Sequence, residues 1–360
     1  METVKEGPLA GNMKFISADD SRLQYCGRID DRDAKAPVLV YAASSVKLRF
    51  RGRRLAVRLM NRHSYFINSM GYLLDGMRGR FDLMDDGAEH TYVIAWDVPE
   101  GEHEILLYKR QDACHYVVLT GFELDGDGEL LTPTALPSRR MEVFGDSVSC
   151  GEVCEAIDHV GQSDPENHNG IYSDSYYSYS WIAARKLGAR LHDTSQGGMA
   201  LLNGTGWFNG PDYVGAESCF DKVEYNPSLG ETVPWDFKRF TPQLVVVALG
   251  QNDSNPEDYM AADPSGERAQ NWKMRYRQWL EKLMDIYPKA VFVLTTTILG
   301  HDASWDRAID EVARELDSPR VSHFLYSENG CGTSGHIRIP EAERMAEELC
   351  AYVETLGIDW

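Results

Sequence analysis

The chain has 360 residues, 43% of them hydrophobic and 26% charged, with a formal net charge of −20; that is length for two domains with separate cores and an ordinary soluble composition. Such an acidic balance excludes nucleic acid and anionic membrane surfaces as partners, since both select for clustered Lys and Arg, whereas a neutral sugar meets no penalty. No apolar run reaches the roughly eighteen residues of a membrane span, the first residues carry no secretory signal pattern, and seven scattered cysteines form no zinc-like pairing, so the expectation is a reduced, cytoplasmic protein without metal or cofactor.

In the first third, short alternating runs at 38–41, 45–50, 54–59, 90–95 and 104–109 read as half-buried strands. Turn formers separate them at Gly52, Asp85-Asp86-Gly87, Pro99-Glu100-Gly101 and Asp125-Gly126-Asp127-Gly128. Strands at this spacing without intervening helices predict an antiparallel β-sandwich of jelly-roll type over residues 1–136. The segment 131–138, with Pro133 and Pro137, is the natural linker.

From 137 to 360 the pattern alternates strand and helix and predicts a doubly wound α/β domain with a parallel sheet. A short strand at 141–144 runs into Gly145-Asp146-Ser147, and Asp174 is placed to cap a helix ending near Leu187 and Gly188. A second strand at 190–193 leads to Ser195-Gln196-Gly197-Gly198. Continuous apolar runs at 244–249 and 290–295 suit parallel strands covered on both faces. Helices are expected at 273–287 and 304–316, a strand at 321–326, and a last helix with Pro340 in its first turn.

Reactive side chains of an open α/β sheet collect where loops leave the carboxyl ends of its strands. Four such points here carry small polar residues: Gly145-Asp146-Ser147, Ser195 to Gly198, Gly250-Gln251-Asn252-Asp253, and Gly332-Thr333-Ser334-Gly335-His336. Acyl transfer requires a hydroxyl nucleophile, a base near neutral pKa, and donors for the oxyanion. Ser147 can be the nucleophile and His336 the base. The Ser147 N–H, a glycine N–H from Gly197 or Gly198 and the Asn252 amide can form the oxyanion hole, with Asp146 and Asp253 supporting the turns. Alone, each segment is an ordinary loop; four in fixed order on successive strand ends make an esterase site.

These segments resemble the signature blocks of the SGNH (GDSL-type) hydrolase superfamily over residues 139–360. Segments 101–113, 120–125 and 139–151 are similar to carbohydrate esterase family 2, whose members join a jelly roll to an SGNH domain with flavodoxin-like strand order and remove acetyl groups from plant polysaccharides or oligosaccharides. The resemblance implies a serine O-acetyl esterase acting on acetylated xylo- or manno-oligosaccharides through Ser147, Asn252 and His336. It departs from the superfamily before His336, where an acid is usual but Thr333 and Ser334 stand, so a backbone carbonyl or a distant acid such as Glu328 is expected to orient the imidazole. Alternative readings are a GDSL lipase or thioesterase for other acyl esters, and a carbohydrate-binding protein with an impaired site.

Trp207, Phe208 and Tyr213 in the loop after the second strand, and Trp235 and Trp305 further on, are candidate sugar platforms, each with packing as the plain alternative. His159 and His168 lie in an acidic insertion at 152–169 that reads as a polar loop. A homo-oligomer using the sandwich as its surface is compatible with the sequence.

Overall fold

The computed structural model describes residues 11–360. The chain divides into two compact units. One holds the described residues through Leu136 together with Asn169–Ile171 and Val223–Val233; the other holds Pro137–His168, Tyr172–Lys222 and Pro234–Trp360.

The first unit is built from two antiparallel six-stranded sheets. Its strands are β1 (Met13–Ser17), β2 (Gln24–Cys26), β3 (Ile29–Asp30), β4 (Val38–Leu39), β5 (Ser45–Arg51), β6 (Leu55–His63), β7 (Ser69–Leu74), β8 (Met77–Asp82), β9 (Glu89–Ala95), β10 (Glu102–Lys109), β11 (His115–Asp125) and β12 (Glu129–Leu131). One sheet runs β3-β4-β11-β6-β9 with β1 also on β11; the other runs β12-β5-β10-β7-β8 with β2 on β5. Period-two patterning sets their faces: in β5, Val46, Leu48 and Phe50 are buried with Leu55, Val57, Leu59, Ile105 and Leu107, while Arg49 and Arg51 pair outward with Glu102.

The second unit carries five parallel strands: β13 (Arg139–Gly145), β14 (Ala189–Ser195), β17 (Leu244–Ala248), β18 (Val291–Thr295) and β19 (Val321–His323), in spatial order β14-β13-β17-β18-β19. A two-stranded ribbon, β15 (Lys222–Glu224) and β16 (Val233–Pro234), lies between β14 and β17 in the chain. The helices are α1 (Ser147–Cys150), α2 (Tyr179–Lys186), α3 (Ala216–Cys219), α4 (Tyr259–Ala262), α5 (Glu267–Ile286), α6 (Ala303–Glu315) and α7 (Ile339–Glu354). Strand order reverses about β13. Right-handed crossovers therefore put α2, which leads to β14, on one face and α5 and α6, which lead to β18 and β19, on the other. α2 packs on α7, and α5 on α6. All five residues of β17 are buried, as a strand covered on both faces must be. The buried stripe of α5, Ala269, Trp272, Tyr276, Leu280 and Leu283, recurs at three or four residues.

The expected helix from Asp174 to Leu187 is interrupted. Asp174 caps only a 3-10 turn, Ser175–Tyr177. Ser178 is extended and its hydroxyl accepts from Trp181 N at 3.2 Å, so a second cap starts α2. The strand expected at 321–326 stops at His323.

Candidate active site

Ser147 is the first residue of α1, at the carboxyl end of β13 where the strand order reverses. Asp146 caps that turn, accepting from Val148 N at 3.0 Å. Its other oxygen accepts from Gln251 Nε2 at 2.5 Å and from Asn252 Nδ2 at 3.0 Å, which ties the end of β13 to the loop after β17. Burial pushes the Asp146 carboxyl up to about 6 against these hydrogen bonds. Asp253, pushed up to about 7 by burial, accepts from Leu201 N at 2.8 Å, Leu202 N at 3.1 Å and Thr205 Oγ1 at 3.2 Å. It therefore anchors the loop after β14 rather than its own turn.

His336 Nε2 lies 2.8 Å from Ser147 Oγ. Its Nδ1 lies 2.6 Å from Asp164 Oδ2. Of the two expected alternatives, a backbone carbonyl or a distant acid, a distant acid takes the place, but it is Asp164 from the insertion at 152–169 and not Glu328, which instead pairs with Arg344 at 3.4 Å. Several contacts dock that insertion. Asp164 Oδ1 accepts from His336 N at 2.9 Å and from the fully buried Arg338 guanidinium at 2.8 Å. Gly161 N donates to Glu341 Oε1 at 3.0 Å, whose second oxygen accepts from Arg338 N at 2.7 Å. A Cβ at position 335 would meet Gln162 O at 2.6 Å, so glycine alone permits the backbones to close. Burial opposes ionisation of Asp164, but the His336 and Arg338 partners hold its carboxyl well below the usual range. Burial likewise pulls His336 down, yet Glu152 and Asp164 raise it on balance above the ordinary imidazole value.

Asn252 Nδ2 donates to Asp146 Oδ2 and to Met199 O, each at 3.0 Å. It thus bridges the residues next to Ser147 and Gly198 in sequence. In this arrangement its Nδ2 stands at the junction of the Ser147 turn and the Gly198 turn, where the expected oxyanion donor belongs. The N–H groups of Ser147, at the start of a helix where backbone donors are left over, and of Gly198 bond to no acceptor among the described residues. Gly198 has φ +72°, and a Cβ there would stand 2.7 Å from Trp207 Cβ. Gly197, in the same turn, accepts from Gln196 Nε2 at 3.2 Å.

The aromatic candidates separate. Trp207 is 64% exposed and its backbone N–H donates to Gly198 O at 2.9 Å, so it sits directly on this turn. Tyr213 is half-buried. Phe208, Trp235 and Trp305 are buried and are corrected to packing residues: Trp305 lies edge-on to Trp272 and Tyr259 and donates from Nε1 to Asp258 at 3.1 Å. Each of these three hides its ring in a core, which removes it from any sugar. Sequence reasoning missed Asp164 and Arg338. The available signal was Arg338 itself, a cation inside the apolar run Ile337-Arg338-Ile339, which requires a buried anion from elsewhere.

Among the described residues no group of three or more His, Cys, Asp and Glu side chains is arranged to hold a metal ion, and no helix is long and apolar enough to cross a membrane. Residues 25–133 match the family model described as carbohydrate esterase 2 N-terminal. The chain is 28% identical over 364 residues to the acetylxylan esterase / glucomannan deacetylase of Cellvibrio japonicus, covering 98% of this chain and 93% of that protein. It is 30% identical over 353 residues to the cellulase/esterase CelE of Acetivibrio thermocellus, covering 93% of this chain but only 40% of that longer protein. In fold it superimposes on the structure of a family two carbohydrate esterase from Cellvibrio japonicus with a TM-score of 0.78 at 24% identity, over 96% of this chain and 98% of that one. The chain is a carbohydrate esterase family 2-like enzyme, an antiparallel β-sandwich joined to an SGNH-type α/β domain.

Proposed function

We propose that the enzyme removes O-acetyl groups from plant-derived oligosaccharides of xylo- or manno-type, through an acyl-enzyme on Ser147. The reading rests above all on the run Ser147 Oγ, His336 Nε2, His336 Nδ1, Asp164 Oδ2, with contacts of 2.8 and 2.6 Å. In acylation the Ser147 proton passes to Nε2 as Oγ bonds to the acetyl carbon. The carbonyl electrons move onto oxygen, which the N–H groups of Ser147 and Gly198 receive. Asn252 joins as a third donor when one of its two acceptors is exchanged for that oxygen. The tetrahedral adduct collapses, the C–O bond to the sugar breaks, and His336 returns the proton to the leaving sugar oxygen. Water then repeats the sequence and releases acetate and a proton.

Asp164 keeps the imidazole with its proton on Nδ1 and stabilises the imidazolium at each step. The exposed indole of Trp207 beside Gly198 supports a sugar ring stacked next to the acetyl site. Seven free cysteines support work in a reducing compartment. The test is a panel of acetylated xylo-, manno- and gluco-oligosaccharides resolved by ring position, with Ser147→Ala as control. Loss of deacetylation in the variant is expected. Unchanged turnover removes Ser147 as nucleophile, and preference for octanoyl over acetyl esters removes the sugar-acetate reading.

A further inference from the structure

One turn after Ser147 the chain folds back on itself. Gly151, left-handed at φ 75°, ends α1 and donates to Ser147 O and Val148 O, and Glu152 N then donates to Ser147 O at 3.0 Å. This closure returns the Glu152 carboxylate to the candidate nucleophile. Its Oε2 stands 3.9 Å from His336 Nε2, and its side chain is 15% exposed. The imidazole therefore lies between two carboxylates with unequal tasks. Asp164 holds the Nδ1 edge by a 2.6 Å hydrogen bond. Glu152 stands on the Nε2 edge, beyond hydrogen-bond reach of the nitrogen, the same edge that meets Ser147 Oγ at 2.8 Å.

We propose that Glu152 is the charge filter of this site: its carboxylate steadies the imidazolium through space and disfavours esters whose acyl group or adjoining sugar carries a negative charge, leaving neutral acetyl sugars as substrates. This deepens the esterase reading and rests on it. A charge at this distance in a partly dry site acts far more strongly than in bulk water. The other groups around the imidazole do not duplicate it. Asp164 and Arg338 compensate each other at 2.8 Å on the far edge, His168 opposes protonation of His336, and the buried Asp146 carboxyl acts behind the nucleophile.

The experiment compares kcat/KM for 4-nitrophenyl acetate and for mono-(4-nitrophenyl) succinate, against pH and ionic strength, in the wild type, Glu152→Gln, Glu152→Asp and Glu166→Gln. Glu166 is an exposed carboxylate of the same insertion, so its variant makes an equal change in net charge. The wild type prefers the acetate. Glu152→Gln is expected to narrow that preference about tenfold and to move the acid limb of the rate profile to lower pH, whereas Glu152→Asp and Glu166→Gln keep the wild-type ratio. Raising salt on the wild type narrows the ratio too, by screening, and needs no variant to fold. A ratio unchanged within about twofold in Glu152→Gln, or in wild type at high salt if that variant does not fold, overturns the proposal. Absence of wild-type activity on the acetate instead overturns the esterase reading beneath it.

Discussion

Replacing Asp164 by Asn tests the assembly of the site most directly. The carboxylate accepts three hydrogen bonds, from His336 Nδ1 at 2.6 Å, His336 N at 2.9 Å and Arg338 at 2.8 Å. An amide can keep the last two on its oxygen, but it then turns N–H groups toward Nδ1. The imidazole must answer with a lone pair there and a proton on Nε2, where it can no longer take the proton of Ser147. Loss of a charge-assisted bond costs about 1.5–3 kcal/mol, and the wrong tautomer adds to it; together they amount to about 3–5 kcal/mol in the transition state, a fall in kcat of about 10²- to 10⁴-fold. The readout is kcat on an aryl acetate, with thermal unfolding to confirm the fold. Asp164→Ala should fall comparably and recover in part with added formate, which restores a carboxylate in the vacated space. A kcat for Asp164→Asn within about threefold of wild type, in a folded protein, would refute the reasoning.

Gly198→Ala forces a left-handed backbone and a clash with Trp207, so it should lower kcat by about 10²–10³-fold, the usual cost of one oxyanion donor, with KM much less affected; an unimpaired kcat speaks against Gly198 as donor. Trp207→Ala should raise KM for oligosaccharides about 5- to 30-fold and leave the melting midpoint alone, because the ring is 64% exposed. Trp305→Ala, at 0% exposure, should do the reverse, destabilising by about 3–5 kcal/mol, and calorimetry beside kinetics on oligosaccharide and aryl acetate separates the two. Asp253 has its folded value raised from 3.8 to about 7, so the folded state holds that proton more tightly than the unfolded chain. Its contribution to stability is whole below pH 4 and lost as pH climbs toward 7. Asp253→Asn should therefore flatten the decline of the thermal midpoint across that window, and parallel profiles for the two proteins would contradict the assignment.

The parallel sheet was readable because its central strands are continuous apolar runs that nothing but burial on both faces explains; β17 and β18 fall within a residue of their expected bounds. In the sandwich, β5 and β10 were legible from alternation. β8, Met-Arg-Gly-Arg-Phe-Asp, was not: it turns polar side chains outward with only Phe81 buried and earns its place by pairing with β7. Ser147 could be picked out because it sits where a strand ends, and His336 because it closes a small polar segment just before the last helix. Asp164 could not, since a loop without periodicity gives no hint of where its side chains go. Trp305 misled for a related reason: next to a loop in sequence, its ring turns inward from the first turn of α6.

The candidate acid and base stand 172 positions apart in the chain, and the nucleophile and base 189. Until residue 336 has left the ribosome, the nascent polypeptide has Ser147 but nothing to deprotonate it. Every translation product halted before that point should be inert toward esters, however well its sheet has begun to form, so that hydrolysis of a simple aryl ester during synthesis would time the docking of the tail onto the rest of the domain.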